Sequence, residues 1–124
     1  MNTLNSSRVL VIDDEPDIGF LLSNLLKQQK LEPLIASTLA DGIQMLRSHS
    51  PGLLFLDIHL PDGSGLDALS SIRRDFPGIK IIMMSAYDGT KERSLALQAG
   101  VNVFIGKPLN FEMITEAIKK ATAS

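Results

Sequence analysis

Four short apolar runs in the chain each end at a hydrophilic residue, and this repeated pattern restricts the folds that the sequence can adopt. Unbroken apolar runs of this length are typical of strands that are covered on both faces of a parallel sheet. The runs are residues 9–12 before Asp13, 53–56 before Asp57, 81–84 before Ser85 and 103–106 before Lys107. Because parallel strands place their carboxyl ends at one edge of the sheet, these polar residues are expected to converge there.

Helical patterns alternate with these runs. Residues 16–30 give the clearest one, with apolar residues every three or four positions and Pro16 in the first turn, where proline is tolerated. Further helices are expected after Thr38, from Leu66 to about Pro77, around residues 90–99 and after Asn110, and a short strand is expected over residues 34–36. Five strand–helix units predict an α/β fold in which helices cover both faces of a parallel sheet.

The last two helices carry specific expectations about their faces. The fourth has a weak apolar stripe, made mainly by Leu95 and Ala99, so it is expected to be the least firmly anchored helix. In the fifth, Phe111, Ile114 and Ile118 are expected to face the core.

The size and charge of the chain exclude several classes of function. Its 124 residues are sufficient for one domain, expected at residues 8–121, with a flexible segment at 1–7 and a tail at 122–124. A net charge of −2 with dispersed basic residues argues against direct binding to nucleic acid. The chain has no cysteine and no apolar stretch near the roughly 20 residues that span a bilayer, so a cytoplasmic, soluble protein is expected.

The polar residues at the strand ends predict a site for a cation and a phosphoryl group. Asp13, Asp14 and Asp57 would repel one another in a confined space unless a cation neutralises them. Mg²⁺, or Mn²⁺ in its place, is expected to bind Asp14 and Asp57 directly and Asp13 through water. A carboxylate beside such an ion can attack phosphorus, and Asp57 is best placed to do so. Lys107 supplies a second positive charge for phosphoryl transfer.

Five short motifs, in this order, resemble the receiver domain of bacterial response regulators. The motifs are Asp13-Asp14-Glu15, Asp57, Leu60-Pro61-Asp62-Gly63, Ser85-Ala86 and Lys107-Pro108. The resemblance implies a flavodoxin-like, doubly wound, five-stranded parallel sheet of strand order 2-1-3-4-5 with five helices. It also implies a phosphorylation-dependent signalling switch of a two-component or phosphorelay system. Such a protein catalyses only its own phosphorylation and autodephosphorylation.

The resemblance further implies a role for each residue at the site. Asp57 would accept the phosphoryl group from a phosphohistidine. The backbone carbonyl of His59 would join Asp13, Asp14 and Asp57 in holding the metal. Lys107 would hold a phosphoryl oxygen, and its bond to Pro108 is expected to be cis.

Two more residues would transmit the switch, again by resemblance to the family. Ser85 would hydrogen-bond a second phosphoryl oxygen, and Phe104 would be the aromatic residue that rotates into the space that Ser85 leaves. The implied partners are a histidine kinase or histidine phosphotransfer protein, and a downstream protein or effector domain at the surface of the fourth helix, fifth strand and fifth helix. A phosphorylation-dependent homodimer is also implied, whereas direct contact with nucleic acid or membrane is not expected.

Three alternative functions would each require a different pattern of residues at the ends of these strands. An Asp-nucleophile phosphatase of the haloacid-dehalogenase type needs a second acid two residues after the nucleophile, where this chain has His59. A flavin-binding flavodoxin needs a phosphate loop after the first strand, where Asp13 and Asp14 would repel phosphate. A degenerate receiver that serves only as an interaction scaffold usually lacks an acid or the lysine, and both Asp57 and Lys107 are present here.

Overall fold

Five parallel strands form the central sheet in the computed structural model, which describes residues 6–87 and 89–123. The strands are β1 (Arg8–Ile12), β2 (Glu32–Ala36), β3 (Leu53–Asp57), β4 (Lys80–Ser85) and β5 (Val103–Gly106). Their spatial order is β2-β1-β3-β4-β5, as predicted. The strand order reverses around β1 and β3, so the carboxyl ends of these two strands border one crevice.

Helices connect the strands and cover both faces of the sheet. They are α1 (Pro16–Gln28), α2 (Leu39–His49), α3 (Gly65–Asp75), α4 (Thr90–Gln98) and α5 (Phe111–Ala123). Successive strand residues point to opposite faces. Val11 and Phe55 therefore pack with α1 and α5, whereas Leu10 and Leu54 pack with α2, α3 and α4. This arrangement confirms the doubly wound, flavodoxin-like fold.

Two element boundaries differ from the prediction. β2 begins at Glu32 rather than at Leu34, because an edge strand with exposed positions carries no unbroken apolar run that would mark its start. α1 ends at Gln28, two residues before the predicted end at Lys30. Lys30 has a φ of 63°, a left-handed conformation that cannot continue a helix.

Helices α4 and α5 correct two expectations about buried faces. In α4 the buried residue is Ala96, while Leu95 is 43% exposed, so the helix presents a neighbouring stripe to the core. In α5, Ile114 and Ile118 are buried as predicted, but Phe111 is 57% exposed. Phe111 is the first residue of α5 and lies one turn before Ile114. A periodic pattern does not show where the covering surface ends.

The ends of the folded unit lie close to the predicted boundaries, which stay predictions. Residues 1–5 of the segment expected to be flexible lie outside the described residues, and Ser7 accepts a hydrogen bond from the N–H of Glu32. α5 continues to Ala123, two residues into the expected tail. The longest helices, α1 and α5, have 13 residues. No helix within residues 6–87 and 89–123 is long and apolar enough to cross a membrane.

Arg73 of α3 fixes the C-terminal end of α4. Its guanidinium donates hydrogen bonds to the carbonyl oxygens of Ile79 at 2.6 Å and Gly100 at 2.7 Å, and to Oδ1 of Asn102 at 3.3 Å. Gly100 has a φ of 103°, the left-handed region in which glycine commonly follows the end of a helix. These hydrogen bonds add to the burial of Ala96, the one buried residue of α4.

Candidate functional site

Three carboxylates meet at the carboxyl ends of β1 and β3. Oxygen atoms of Asp13, Asp14 and Asp57 all lie within 4.8 Å of one another. Asp13 and Asp57 are buried, whereas Asp14 is exposed. A compact set of oxygen donors fits a hard divalent cation such as Mg²⁺. The structure therefore brings together the three acids that the sequence predicts for a metal site.

The two carboxylate oxygens of Asp13 differ, because Oδ1 is hydrogen-bonded whereas the buried Oδ2 faces Lys107 as an ion pair without hydrogen-bond geometry. Oδ1 accepts a hydrogen bond from the N–H of Glu15 at 2.9 Å, and Oδ2 lies 2.9 Å from Nζ of Lys107. The side chain of Asp14 is exposed. The expected division, in which Asp14 binds the cation directly and Asp13 binds through water, stays a prediction.

The carboxyl group of Asp57 is held in an environment that disfavours its charge. Asp57 is 4% exposed, and this burial, followed by the negative charge of Asp13, raises its pKa from 3.8 to about 6, although Lys107 acts in the opposite direction. Additional positive charge at the site would stabilise the ionised form. Nearby cations therefore favour the ionised form of Asp57.

Lys107 lies among three carboxylates at the end of β5. Its Nζ is 2.5 Å from Oε1 of Glu15, 2.9 Å from Oδ2 of Asp13 and 3.5 Å from Oδ2 of Asp57. Burial acts to lower the pKa of Lys107, but its contacts with Glu15 and Asp13 outweigh burial and raise the pKa above its usual value. Lys107 thus carries a full positive charge at neutral pH. The expected cis bond between Lys107 and Pro108 is confirmed.

The contact between Glu15 and Lys107 is a feature that the sequence did not predict. Glu15 belongs to the acidic run after β1, which marks it as a candidate for the site. Its partner is 92 residues away in the chain, so only the pairing of the strands brings the two side chains together.

A short antiparallel hairpin follows β3. His59–Leu60 pairs in antiparallel fashion with Gly63–Ser64. The carboxylate of Asp62 accepts hydrogen bonds from the N–H groups of Leu39 at 2.8 Å and Ala40 at 3.0 Å in the first turn of α2. These hydrogen bonds lower the pKa of Asp62. They also attach the hairpin to α2, which restrains the segment that contains His59.

Gly65 begins α3 directly against the end of β3. A Cβ atom at this position would lie 2.1 Å from the carbonyl oxygen of Asp57, so only glycine fits without displacing the backbone. The N–H of Gly65 donates a 2.7 Å hydrogen bond to the carbonyl of Ile58. The backbone around Asp57 is therefore fixed by the start of α3.

The imidazole ring of His59 contacts α4 and the loop after β4. Its Nε2 is 3.9 Å from Oε2 of Glu92, and the ring meets Tyr87 edge-to-face with 5.2 Å between centroids. Among the described residues, the group of clustered ligand atoms contains three aspartates and not this ring. The role of the His59 backbone carbonyl as a metal ligand stays a prediction.

Both predicted switch residues are buried. The hydroxyl of Ser85 donates to the carbonyl of Tyr87 at 2.9 Å and accepts from its N–H at 3.0 Å. Phe104 is 5% exposed, and Cζ of Arg93 in α4 lies 4.8 Å from the centroid of its ring. The ring of Phe104 is thus in the core while Ser85 is bonded to Tyr87, and its rotation stays a prediction.

An acidic cluster, a lysine and a buried hydroxyl at the edge of a sheet of this order define a class of protein. The chain belongs to the family of the response regulator receiver domain, which matches residues 9–119. It is therefore a receiver domain, a phosphorylation-dependent signalling switch of two-component systems.

Particular relatives agree with this assignment. The chain is 32% identical over 118 residues to the response regulator protein PilR of Pseudomonas aeruginosa, covering 95% of this chain and 26% of PilR. It is 32% identical over 114 residues to the chemotaxis protein CheY of Bacillus subtilis, covering 91% of this chain and 95% of CheY. The beryllofluoride-activated NtrC4 receiver domain dimer has a TM-score of 0.89 at 28% identity, covering 94% and 97% of the two chains. The chain spans only 25% to 48% of the length of PilR and three further curated regulators.

Proposed function

We propose that Asp57 accepts a phosphoryl group from a phosphohistidine of a histidine kinase or histidine phosphotransfer protein. The main support is the convergence of three carboxylates within 4.8 Å and the placement of Lys107 3.5 Å from Asp57. A carboxylate oxygen of Asp57 bonds to phosphorus while the phosphorus–nitrogen bond of the donor breaks and the imidazole leaves. The products are an acyl phosphate on Asp57 and an unmodified histidine. The domain turns over no metabolite, and the exchange takes place in the cytoplasm.

A divalent cation, Mg²⁺ or Mn²⁺, would be held by the acidic cluster. Asp14 and Asp57 would bind it directly, Asp13 through water, and the carbonyl of His59 would complete the protein ligands. When bound, the cation offsets the negative charge of the carboxylates and of the incoming phosphoryl oxygens. The hydrogen bonds between Asp62 and α2 support this role for His59, because they restrain its hairpin.

Asp14→Asn is expected to weaken the binding of Mg²⁺ by about tenfold or more, and Asp13→Asn by less, because Asp13 already accepts a hydrogen bond from Glu15 and is ion-paired with Lys107. Calorimetric titration of the metal-free variants measures the difference. Asp17→Asn, which removes an exposed acid from the first turn of α1, is the matched control and should bind like the wild type. Equal losses for Asp13→Asn and Asp14→Asn would contradict the assignment of Asp14 as the direct ligand.

Phosphorylation would change the hydrogen bonding of Ser85. A phosphoryl oxygen on Asp57 is a charged acceptor and competes well with the backbone groups of Tyr87. When the hydroxyl of Ser85 donates a hydrogen bond to that oxygen, it gives up the hydrogen bond that it donates to the carbonyl of Tyr87, three residues before Thr90 begins α4. A movement of α4 would also change the surroundings of Phe104, since the ring and the carbonyl of Phe104 both contact Arg93 of α4.

The surface of α4, β5 and α5 is the proposed output surface. Leu95 and Leu97 of α4 and Phe111 of α5 are 43%, 50% and 57% exposed. Large exposed apolar side chains of this kind are suited to a protein partner. A downstream protein, an effector domain or, after phosphorylation, a second copy of the chain would bind there.

Ser85→Ala tests the proposed switch. This variant is expected to accept the phosphoryl group on Asp57 but to show smaller phosphorylation-dependent NMR shifts across α4 and β5, because no hydroxyl couples the site to Tyr87. Ser71→Ala is the control, since its hydroxyl bonds only within α3, to the carbonyl of Ala68. Undiminished shifts in phosphorylated Ser85→Ala would overturn the switch role while leaving the phosphoacceptor role intact.

A further inference from the structure

The three carboxylates around Lys107 are not equally close to it. Nζ lies 2.5 Å from Glu15 and 2.9 Å from Asp13, but 3.5 Å from Asp57. The ammonium group is therefore drawn toward the β1 side of the site. The expected acceptor of the phosphoryl group is its most distant partner.

The side chain of Glu15 contacts Lys107, whereas the backbone of Glu15 makes the hydrogen bonds that support the local fold. Its backbone N–H donates to Asp13, and its carbonyl accepts hydrogen bonds from Ile18 and Gly19 at the start of α1. Its side chain makes no capping hydrogen bond to the helix and is 54% exposed. A change confined to this side chain should therefore leave α1 intact.

We propose that Glu15 is a positioning residue that holds Lys107 away from the phosphoryl group and so limits the stability of the phosphorylated state. The inference rests on the proposed phosphorylation of Asp57. Phosphorylation replaces the single negative charge of ionised Asp57 with about two negative charges on the phosphoryl oxygens, and these attract Lys107 while repelling Glu15. To contact a phosphoryl oxygen fully, Lys107 must lengthen or give up its contact with Glu15, and part of its attraction to the phosphoryl group is lost in doing so.

Glu15→Gln is expected to shift this competition toward the phosphoryl group. An amide keeps the size of the side chain but loses the charge that attracts Lys107. In the presence of Mg²⁺, beryllofluoride serves as a stable anionic stand-in for the phosphoryl group on Asp57, and NMR titration gives its affinity at equilibrium. We expect Glu15→Gln to bind it about threefold to fivefold more tightly than the wild type, the effect of one partly exposed ion pair. The fraction of Asp57 phosphorylated at limiting acetyl phosphate should rise in parallel.

Two control variants separate direct contact from simple charge repulsion. Glu15→Asp keeps the negative charge but shortens the side chain by one carbon, which takes its carboxylate out of contact with Lys107. It should therefore behave like Glu15→Gln. Asp17→Asn removes a neighbouring exposed acid that belongs to the first turn of α1, and it should bind beryllofluoride like the wild type. A wild-type affinity for Glu15→Asp, or an equal gain for Asp17→Asn, would show that remote charge alone is at work and would overturn the proposal.

The remaining outcomes distinguish the inference from the function on which it depends. If the wild type is phosphorylated on Asp57 and Glu15→Gln binds beryllofluoride no more tightly, only the role of Glu15 is overturned. If the wild type neither binds beryllofluoride nor gains a phosphoryl group with acetyl phosphate, the proposed function fails, and the role of Glu15 fails with it.

Discussion

Asp57→Asn is expected to abolish phosphorylation of the chain by acetyl phosphate in the presence of Mg²⁺. The substitution removes the nucleophilic carboxylate, while the amide has nearly the same size at a position that is 4% exposed. Measurement of the intact mass should show one added phosphoryl group on the wild type and none on the variant.

Two comparisons make the loss specific to Asp57. Asp17→Asn should be labelled like the wild type, because Asp17 lies in the first turn of α1. The wild type should gain no phosphoryl group when a chelator removes divalent cations. Robust labelling of Asp57→Asn would show that another residue is the acceptor.

The same substitution is expected to stabilise the metal-free protein at neutral and alkaline pH. The pKa of Asp57 is raised from 3.8 to about 6 in the folded protein, so the folded state binds the proton more tightly than the unfolded chain. The wild type therefore loses stability as the pH rises from about 4 to about 6, as Asp57 ionises. A shift of this size corresponds to at most about 3 kcal/mol in the free energy of unfolding.

Urea denaturation of both proteins in a chelator, at several pH values, measures this difference. Asp57→Asn should exceed the wild type by up to about 3 kcal/mol well above pH 6 and match it more closely near pH 4. Saturating Mg²⁺ should reduce the difference, because the cation stabilises the ionised wild-type site. A variant that is less stable than the wild type at alkaline pH would contradict the cost assigned to ionised Asp57.

The parts of the site that lie at strand ends could be predicted from the sequence. Asp13, Asp57, Ser85 and Lys107 each follow an apolar run, and a parallel sheet brings such positions to one edge. The strand order came from the resemblance to receiver domains, since periodicity alone does not order strands. Buried positions on strongly amphipathic helices, such as Ile114 of α5, could also be predicted.

The contacts that the sequence did not predict join side chains from distant parts of the chain. Glu15 and Lys107 are 92 residues apart, and Asp62 caps α2 from 22 and 23 residues away. Such contacts depend on side-chain positions that follow only after the sheet has formed. The error at Phe111 has another origin, because an apolar residue at the start of a helix fits the pattern whether or not anything covers it.

The hydrogen bond from Arg73 to Gly100 anchors the C-terminal end of α4, so a tilt of this helix would pivot about that end. The helix has nine residues and is about 13 Å long, so a tilt of about 10° about Gly100 would displace its first turn by about 2 Å. Its last turn would hardly move. The first turn carries Glu92, which faces His59, and Arg93, which covers Phe104. A partner on the proposed output surface should therefore distinguish the two states of this domain by its contacts near Thr90, while Leu95 and Leu97, closer to the fixed end, would offer apolar contacts in both states.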